Sequence, residues 1–489
     1  MKKYEFWFLA GTQPLYGEDV ILQVNEHARI IAEGLNDSAN VPCSVVYKTA
    51  VKDSASILQT ILAANVDPNC AGIITWMHTF SPSKMWISGL SKLQKPMLHL
   101  NTQFNRDIPW NSIDMDYMNL NQSAHGDREH GFIGARLRLP RKIVAGYWED
   151  ETTQKRIGHW MRSAVGAFIS RQLKVCRFGD NMRNVAVTEG DKVEAEIKLG
   201  WSVNGYGIGD LIQKVNLITD AQIDRKMAEY SEKYDVNTTD IEAIRYQAKL
   251  EVALGQFLEE GGFTAYTDTF EDLQELRQLP GLATQNLMKN RIGFGAEGDW
   301  KLAALDRIMK CMSEGLSGGT AFMEDYTYHM EPGNEGVLGA HMLEVDPDIA
   351  SDRPKIEVHP LGIGDREPPA RLTFSTGSGS AIVATLVDMG DRFRMIVNDV
   401  EAVSPFQDMP NLPVARVMWR PLPSLSTSAE AWILSGGSHH TVLSYQLDAE
   451  HMRDFCTIMG IEYIHIGKDT TIENLEKELL FSESVWGRR

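Results

Sequence analysis

Glutamates and histidines gather at three places in the C-terminal half of this chain, and those residue types together suit a divalent cation of hard-to-borderline character. The first place is Glu297, inside Gly293-Phe294-Gly295-Ala296-Glu297-Gly298. The second is Glu324-Asp325, followed by His341 and Glu344, and the third is the consecutive pair His439-His440 before Thr441. In an extended segment consecutive side chains point to opposite faces, so at most one of the two histidines is expected to enter a shared site. Spacing does not choose between them. Each cluster also has a plainer reading: a carboxylate capping a helix, acidic strand ends, or solvated histidines.

The glycine run fits G-x-G-x-x-G and precedes a helix expected from Asp299 to Met312, which raises the possibility of a dinucleotide fingerprint. A true fingerprint follows a hydrophobic strand, whereas this one follows Lys289-Asn290-Arg291 and puts a carboxylate where a pyrophosphate would sit. The alternative is that the glycines let the backbone pack tightly and hold Glu297 at a helix N-terminus, where negative charge is favoured. The sequence has no G-x-S-x-G elbow, Walker loop or H-E-x-x-H, which removes the commonest hydrolase, NTPase and zincin readings.

A chain of 489 residues exceeds what one core usually serves, and three domains are expected, at 1–171, 172–320 and 321–489. In the first, short β-rich runs alternate with helical patterns from Trp7 to Leu100, the mark of parallel β-α-β units. The loop Gly11-Thr12-Gln13-Pro14-Leu15-Tyr16-Gly17 after the first strand is a candidate binding loop, because ligands of such sheets meet the carboxyl ends of strands. The second repeats the theme with longer helices, one carrying Ile241, Ile244, Ala248 and Val252 toward a core after a cap at Thr238–Asp240. Beyond 321 the pattern turns to alternating strands around a turn near Gly390-Asp391 and returns to mixed α/β in the tail. The expected fold class is therefore multidomain α/β with an antiparallel C-terminal part.

Forty-eight Lys and Arg against 66 Asp and Glu give a formal charge of -18, which disfavours phosphate backbones and anionic lipid. The basic stretch Arg136, Arg138, Arg141 and Lys142 lacks interleaved aromatics and reads as surface, so no nucleic acid partner is expected. Five scattered cysteines, none in a C-x-x-C pair, argue against a disulfide framework. No stretch approaches the roughly 18 apolar residues of a membrane span, and no secretory segment is recognised. A cytoplasmic protein is expected.

In order along the chain, Thr12-Gln13-Pro14-Leu15-Tyr16-Gly17, Asn121-Gln122-Ser123-Ala124-His125-Gly126, Gly293 to Trp300, Phe322 to Tyr328, Gly339 to Glu344 and Gly436 to Thr441 resemble the L-arabinose isomerase family. The resemblance covers essentially the whole chain. It implies that Glu297, Glu324, His341 and His440 hold one Mn2+ per subunit, with Co2+ as a substitute, and that Glu297 and Glu324 are the catalytic pair. It implies a sugar pocket lined by Gln13, Leu15, Tyr16, Met182 and Phe270, with His125 supplied by a neighbouring subunit. It also implies two Rossmann-like α/β domains, a β-barrel-like C-terminal domain, and trimers stacked into a homohexamer. Ser438 stands where many relatives have Ala.

The chemistry so implied is conversion of L-arabinose to L-ribulose in arabinose catabolism, and of D-galactose to D-tagatose, by acid/base transfer through an enediol. Two other classes stay open on the sequence: a nicotinamide-dependent oxidoreductase built on the glycine run, and a sugar-binding protein without turnover.

Overall fold

The computed structural model describes residues 1–486. The chain divides into two compact units, one of Met1–Phe168 with Arg453–Gly460, the other of Ile169–Met452 with the chain from Ile461 on.

The first unit is built on a five-stranded, all-parallel sheet in the spatial order Ser44–Val51, Glu5–Gly11, Cys70–Met77, Met97–Asn101, Lys142–Ala145. Cys70–Met77 is buried along its whole length, as a strand covered on both faces must be, which is why it reads as an uninterrupted apolar run. The helix Glu18–Asp37 buries Ile21, Val24, Ala28, Ile31, Ala32 and Leu35, one face at helical spacing. Asp53 and Ser56 form a capping box that starts the helix Ser54–Val66. Strand order reverses at Glu5–Gly11, so the crevice at its carboxyl end, where Thr12 to Tyr16 emerge, is the switch point at which such sheets take ligands. Two members of the basic stretch are absorbed structurally: Arg141 donates to the carbonyls of Leu139 and Gly131, and Lys142 pairs with Asp454 at 2.8 Å, while Arg136 and Arg138 are exposed.

The second unit holds three sheets. Four parallel strands run in the order Gly293–Gly295, Ala265–Thr267, Lys174–Phe178, Ser202–Tyr206. Asp240 caps the helix Ile241–Gly261 by accepting from the Ala243 N–H, and Gly262 ends it in the left-handed conformation. The buried face of this helix includes Ile244 and Ala248 as expected, but Ile241 is exposed and Gln247 and Glu251 are buried. Gln247 earns its place by bonding Gln278, Leu279, Gly281 and Ala283, a partner set no periodicity could reveal.

Seven strands form the third region's main sheet, in the order Gly379–Asp388, His440–Ser444, Thr320–His329, Gly336–Ala340, Arg416–Pro421, Phe393–Val403, Glu462–Ile466. It is mixed rather than purely antiparallel, because Glu462–Ile466 joins Phe393–Val403 in parallel. Gly379–Asp388 also pairs with Phe393–Val403. A small sheet of Ala370–Thr373, Lys355–Val358 and Asp235–Val236 completes the unit. No helix among the described residues is long and apolar enough to cross a membrane, and all five cysteines are buried.

Candidate active site and metal centre

Sheet register assembles most of the site. Glu324 lies in the strand Thr320–His329, with Ala340 as its Cα partner on one side and His440 on the other. His341 follows Ala340 directly, so two antiparallel pairings bring one carboxylate and two imidazoles to the same end of three adjacent strands. Phe322, two residues before Glu324, sets its ring against both histidines at centroid separations of 5.1 and 5.2 Å, and the two imidazoles lie 6.2 Å apart.

Glu297 arrives from the glycine run. Gly293–Gly295 is itself a strand, and the helix that follows starts at Trp300 with Asp299 as its cap, one residue later than expected. A Cβ on Gly293 would lie 2.1 Å from the Ala303 carbonyl oxygen, and one on Gly295 would lie 2.4 Å from that of Asp299. The glycines therefore let the helix backbone close directly onto the strand. Glu297 sits in the left-handed region at φ 60°, held by Met182 N–H donating to its carbonyl at 2.9 Å and by Gly298 N–H donating to Asp268.

The carboxylates approach the histidines without bonding them. Glu297 Oε2 lies 3.8 Å from His440 Nε2, and Glu324 Oε2 lies 3.9 Å from His341 Nε2. Both Nε2 atoms are buried, and neither has a hydrogen-bond partner. Each ring is gripped from behind: His341 Nδ1 by Glu344 at 2.5 Å, His440 Nδ1 by Asp299 at 3.2 Å. A carboxylate on Nδ1 fixes that nitrogen as the N–H donor and leaves the Nε2 lone pair aimed forward, the usual support of a metal-ligating histidine. The donor set of two imidazoles and two carboxylates can accept a divalent cation such as manganese.

The electrostatics follow from this packing. Burial pulls the His341 pKa down, but Glu344, Glu324 and Glu297 outweigh it and leave it raised. Burial pushes Glu297 up, while the hydrogen bond from His439 and the charges of His440, His439 and His341 bring it below the ordinary value. Asp299 is likewise pushed up by burial and drawn lower by Lys301 and His440. Asp268, buried close to Glu344, is pushed up to about 8 by burial and by that like charge.

His439 behaves differently from expectation. Ligand atoms of Glu297, His439 and His440 lie within 4.8 Å of one another, and the two histidine rings are 4.3 Å apart. Both consecutive histidines thus face Glu297, because the strand begins only at His440 and the alternation rule does not extend to His439. His439 is 37% exposed and His440 fully buried. Ser438 accepts from the His440 N–H at 3.0 Å, so this residue does touch a candidate ligand.

The remaining candidates fall into two groups. Met182 and Phe270 belong to the same unit as the histidine and glutamate cluster, at the carboxyl ends of Lys174–Phe178 and Ala265–Thr267. Their loops are tied together, since Arg183 N–H donates to Glu271 and Asp180 N–H to Asp272. Gln13, Leu15, Tyr16 and His125 belong to the first unit. There Gln13 donates to the Phe80 carbonyl at 3.0 Å, the Phe80 ring lies tilted against that of His125 at 4.7 Å, and Gln122 donates to the Tyr16 hydroxyl. Leu15 is 80% exposed. In the sequence Glu344 is one member of the second cluster and Asp299 the start of a helix, and their bracing of His341 and His440 is legible only in the structure.

The family models for the L-arabinose isomerase N-terminal, central and C-terminal domains match residues 1–172, 174–315 and 319–462. The L-arabinose isomerases of Anoxybacillus flavithermus and Geobacillus stearothermophilus are 57% and 56% identical over 495 residues, spanning 100% of this chain and 99% of each relative. The chain belongs to the L-arabinose isomerase family. The L-arabinose isomerase of Thermotoga petrophila, 55% identical over 489 residues with the same coverage, gives the same assignment. The glycine run serves as a packing device beneath Glu297.

Proposed function

We propose that this enzyme isomerises L-arabinose to L-ribulose, and D-galactose to D-tagatose, with a manganese ion held by Glu297, Glu324, His341 and His440. One observation carries the metal assignment: two buried imidazoles present partnerless Nε2 atoms toward two carboxylates while carboxylates clamp their Nδ1 atoms. Co2+ would substitute. His440 is preferred to His439 as ligand because it is buried and braced by Asp299.

When bound, the cation supplies Lewis-acid polarisation of the sugar oxygens at C1 and C2. The work of this chain's residues is proton transfer. One of Glu297 and Glu324 removes the C2 proton and the other manages the O1/O2 proton, giving an enediol that is reprotonated at C1. The lowered pKa of Glu297 keeps it ionised at neutral pH. Phe322, packed against both His341 and His440, keeps water from that side of the site and so strengthens these charge interactions.

Gln13, Leu15, Tyr16, Met182 and Phe270 are assigned to sugar contact, with His125 contributed across a subunit interface of a trimer or hexamer. The three matched family segments support the domain division at 1–171, 172–320 and 321–489. The circuit of pairings among six strands, closed by Gly379–Asp388 with Phe393–Val403, supports a barrel-like C-terminal domain. Cytoplasmic residence is part of the same proposal.

L-arabinose deuterated at C2, followed by NMR in the manganese-loaded protein, tests both reaction and route. Ribulose that has lost its label to solvent is the expected product; complete retention at C1 would replace the enediol by a direct hydride shift, and no ribulose would reject the reaction.

A further inference from the structure

The ammonium of Lys301 is wholly buried at the start of the helix Trp300–Met312. All three of its N–H donors are used: it donates to the carbonyls of Thr188 at 2.8 Å and Glu189 at 2.7 Å, and it pairs with Asp299 Oδ1 at 3.2 Å. The other oxygen of Asp299 holds His440 Nδ1. An unbroken polar path therefore runs from His440 through Asp299 and Lys301 into the backbone of the segment after Lys174–Phe178, the same segment that carries Met182.

A second tie runs alongside the first. Asn181 donates one amide hydrogen to the Thr188 carbonyl and the other to that of Gly298, while Met182 N–H donates to Glu297. The loop is thus fastened at one end to the turn bearing Glu297 and at the other to the ion pair behind His440. A lysine buried only to satisfy a helix cap would need no loop carbonyls. Two such carbonyls, converging on a charge that itself neutralises the brace of a proposed ligand, make one mechanical unit of the loop and the metal centre.

We infer that Lys301 is a positioning residue that couples occupancy of the metal site to the order of the 182–189 loop, so that cation binding tightens the wall of the sugar pocket. This rests on the metal site proposed above. By linkage, whatever factor the cation contributes to loop order, the loop returns to cation affinity.

The test is hydrogen exchange on the full-length protein, stripped of metal and then titrated with Mn2+, with Mn2+ affinity measured in parallel by calorimetry. In the unmodified protein Mn2+ should slow exchange across 182–189 by about tenfold, the middle of the usual coupling range. Lys301→Met should weaken Mn2+ binding by roughly 10- to 100-fold, as loss of an outer support does, and abolish the loop response. If that variant does not fold, Lys301→Met combined with Asp299→Asn removes both charges together, and it should still bind Mn2+, more weakly, with no protection of the loop. Metal binding without loop protection in the unmodified protein would overturn the coupling alone. So would a folded variant, single or double, that keeps that protection. Absence of Mn2+ binding to the unmodified protein would instead remove the metal site itself, and the coupling with it.

Discussion

Glu344→Gln isolates the charge behind His341 while preserving its shape. Glu344 Oε2 lies 2.5 Å from His341 Nδ1 and also accepts from the Leu343 N–H, and both residues are buried. A glutamine can still accept from Nδ1, so what disappears is the charge assistance. Charged hydrogen bonds contribute roughly 1.5–3 kcal/mol net against 0.5–1.5 for neutral ones, a difference of about 1 to 1.5 kcal/mol, or approximately tenfold in Mn2+ affinity. The pH dependence carries a second signature. His341 has a raised pKa, so in the metal-free protein its charged pair with Glu344 stabilises the fold below the ordinary histidine value and is lost as pH rises through the raised value. Cation binding needs the neutral ring, so affinity falls as pH drops through that same raised value. Removing the Glu344 charge lowers the His341 pKa and moves this acid limb down. Calorimetric titration with Mn2+ should therefore show the largest deficit in the variant near about pH 8 and a smaller one near about pH 6, around the unperturbed histidine value. Equal affinities at the higher pH, or a deficit that grows on acidification, would refute the reasoning.

Glu297→Gln and Glu324→Gln should each lower kcat for ketose formation by roughly 10²- to 10⁴-fold, the usual worth of a positioned acid or base; a variant keeping most of its turnover would lose its assigned role. His440→Gln should abolish Mn2+ binding while His439→Asn retains it, as read by competition with a chromophoric chelator, and the reverse pattern would exchange the two assignments. Gly293→Ala would press a methyl group to 2.1 Å from the Ala303 carbonyl, and the backbone shift this forces should destabilise the protein by about 1–3 kcal/mol in urea unfolding. An unchanged midpoint there would contradict the close packing of strand and helix.

What the sequence disclosed followed from strong local patterns. Parallel β-α-β units were legible in the first 100 residues because alternation of apolar runs with helical faces is a property of neighbours in the chain. Glu297, Glu324, His341 and His440 were legible as chemistry-bearing residue types, and the family motifs around them narrowed the choice. The glycine run was harder, since three strand residues of which two are glycine carry no hydrophobic signature; their function is to admit Ala303 and Asp299 from a helix later in the chain. His439 misled because the alternation rule needs a strand, and the strand starts one residue further on. Gln247, Lys301 and Asp299 carry no local signal of burial. Their burial depends on partners at distant positions, Thr188 and Glu189 for Lys301 and Gln278 to Ala283 for Gln247, and only the tertiary structure supplies those.

Incubating metal-stripped protein with L-arabinose, with and without added Mn2+, and assaying for ketose tests the central claim most directly. L-ribulose formed only when Mn2+ is present is the predicted result. Full turnover in the thoroughly stripped protein would contradict the metal centre, and no ketose from any pentose or hexose under either condition would contradict the proposed reaction.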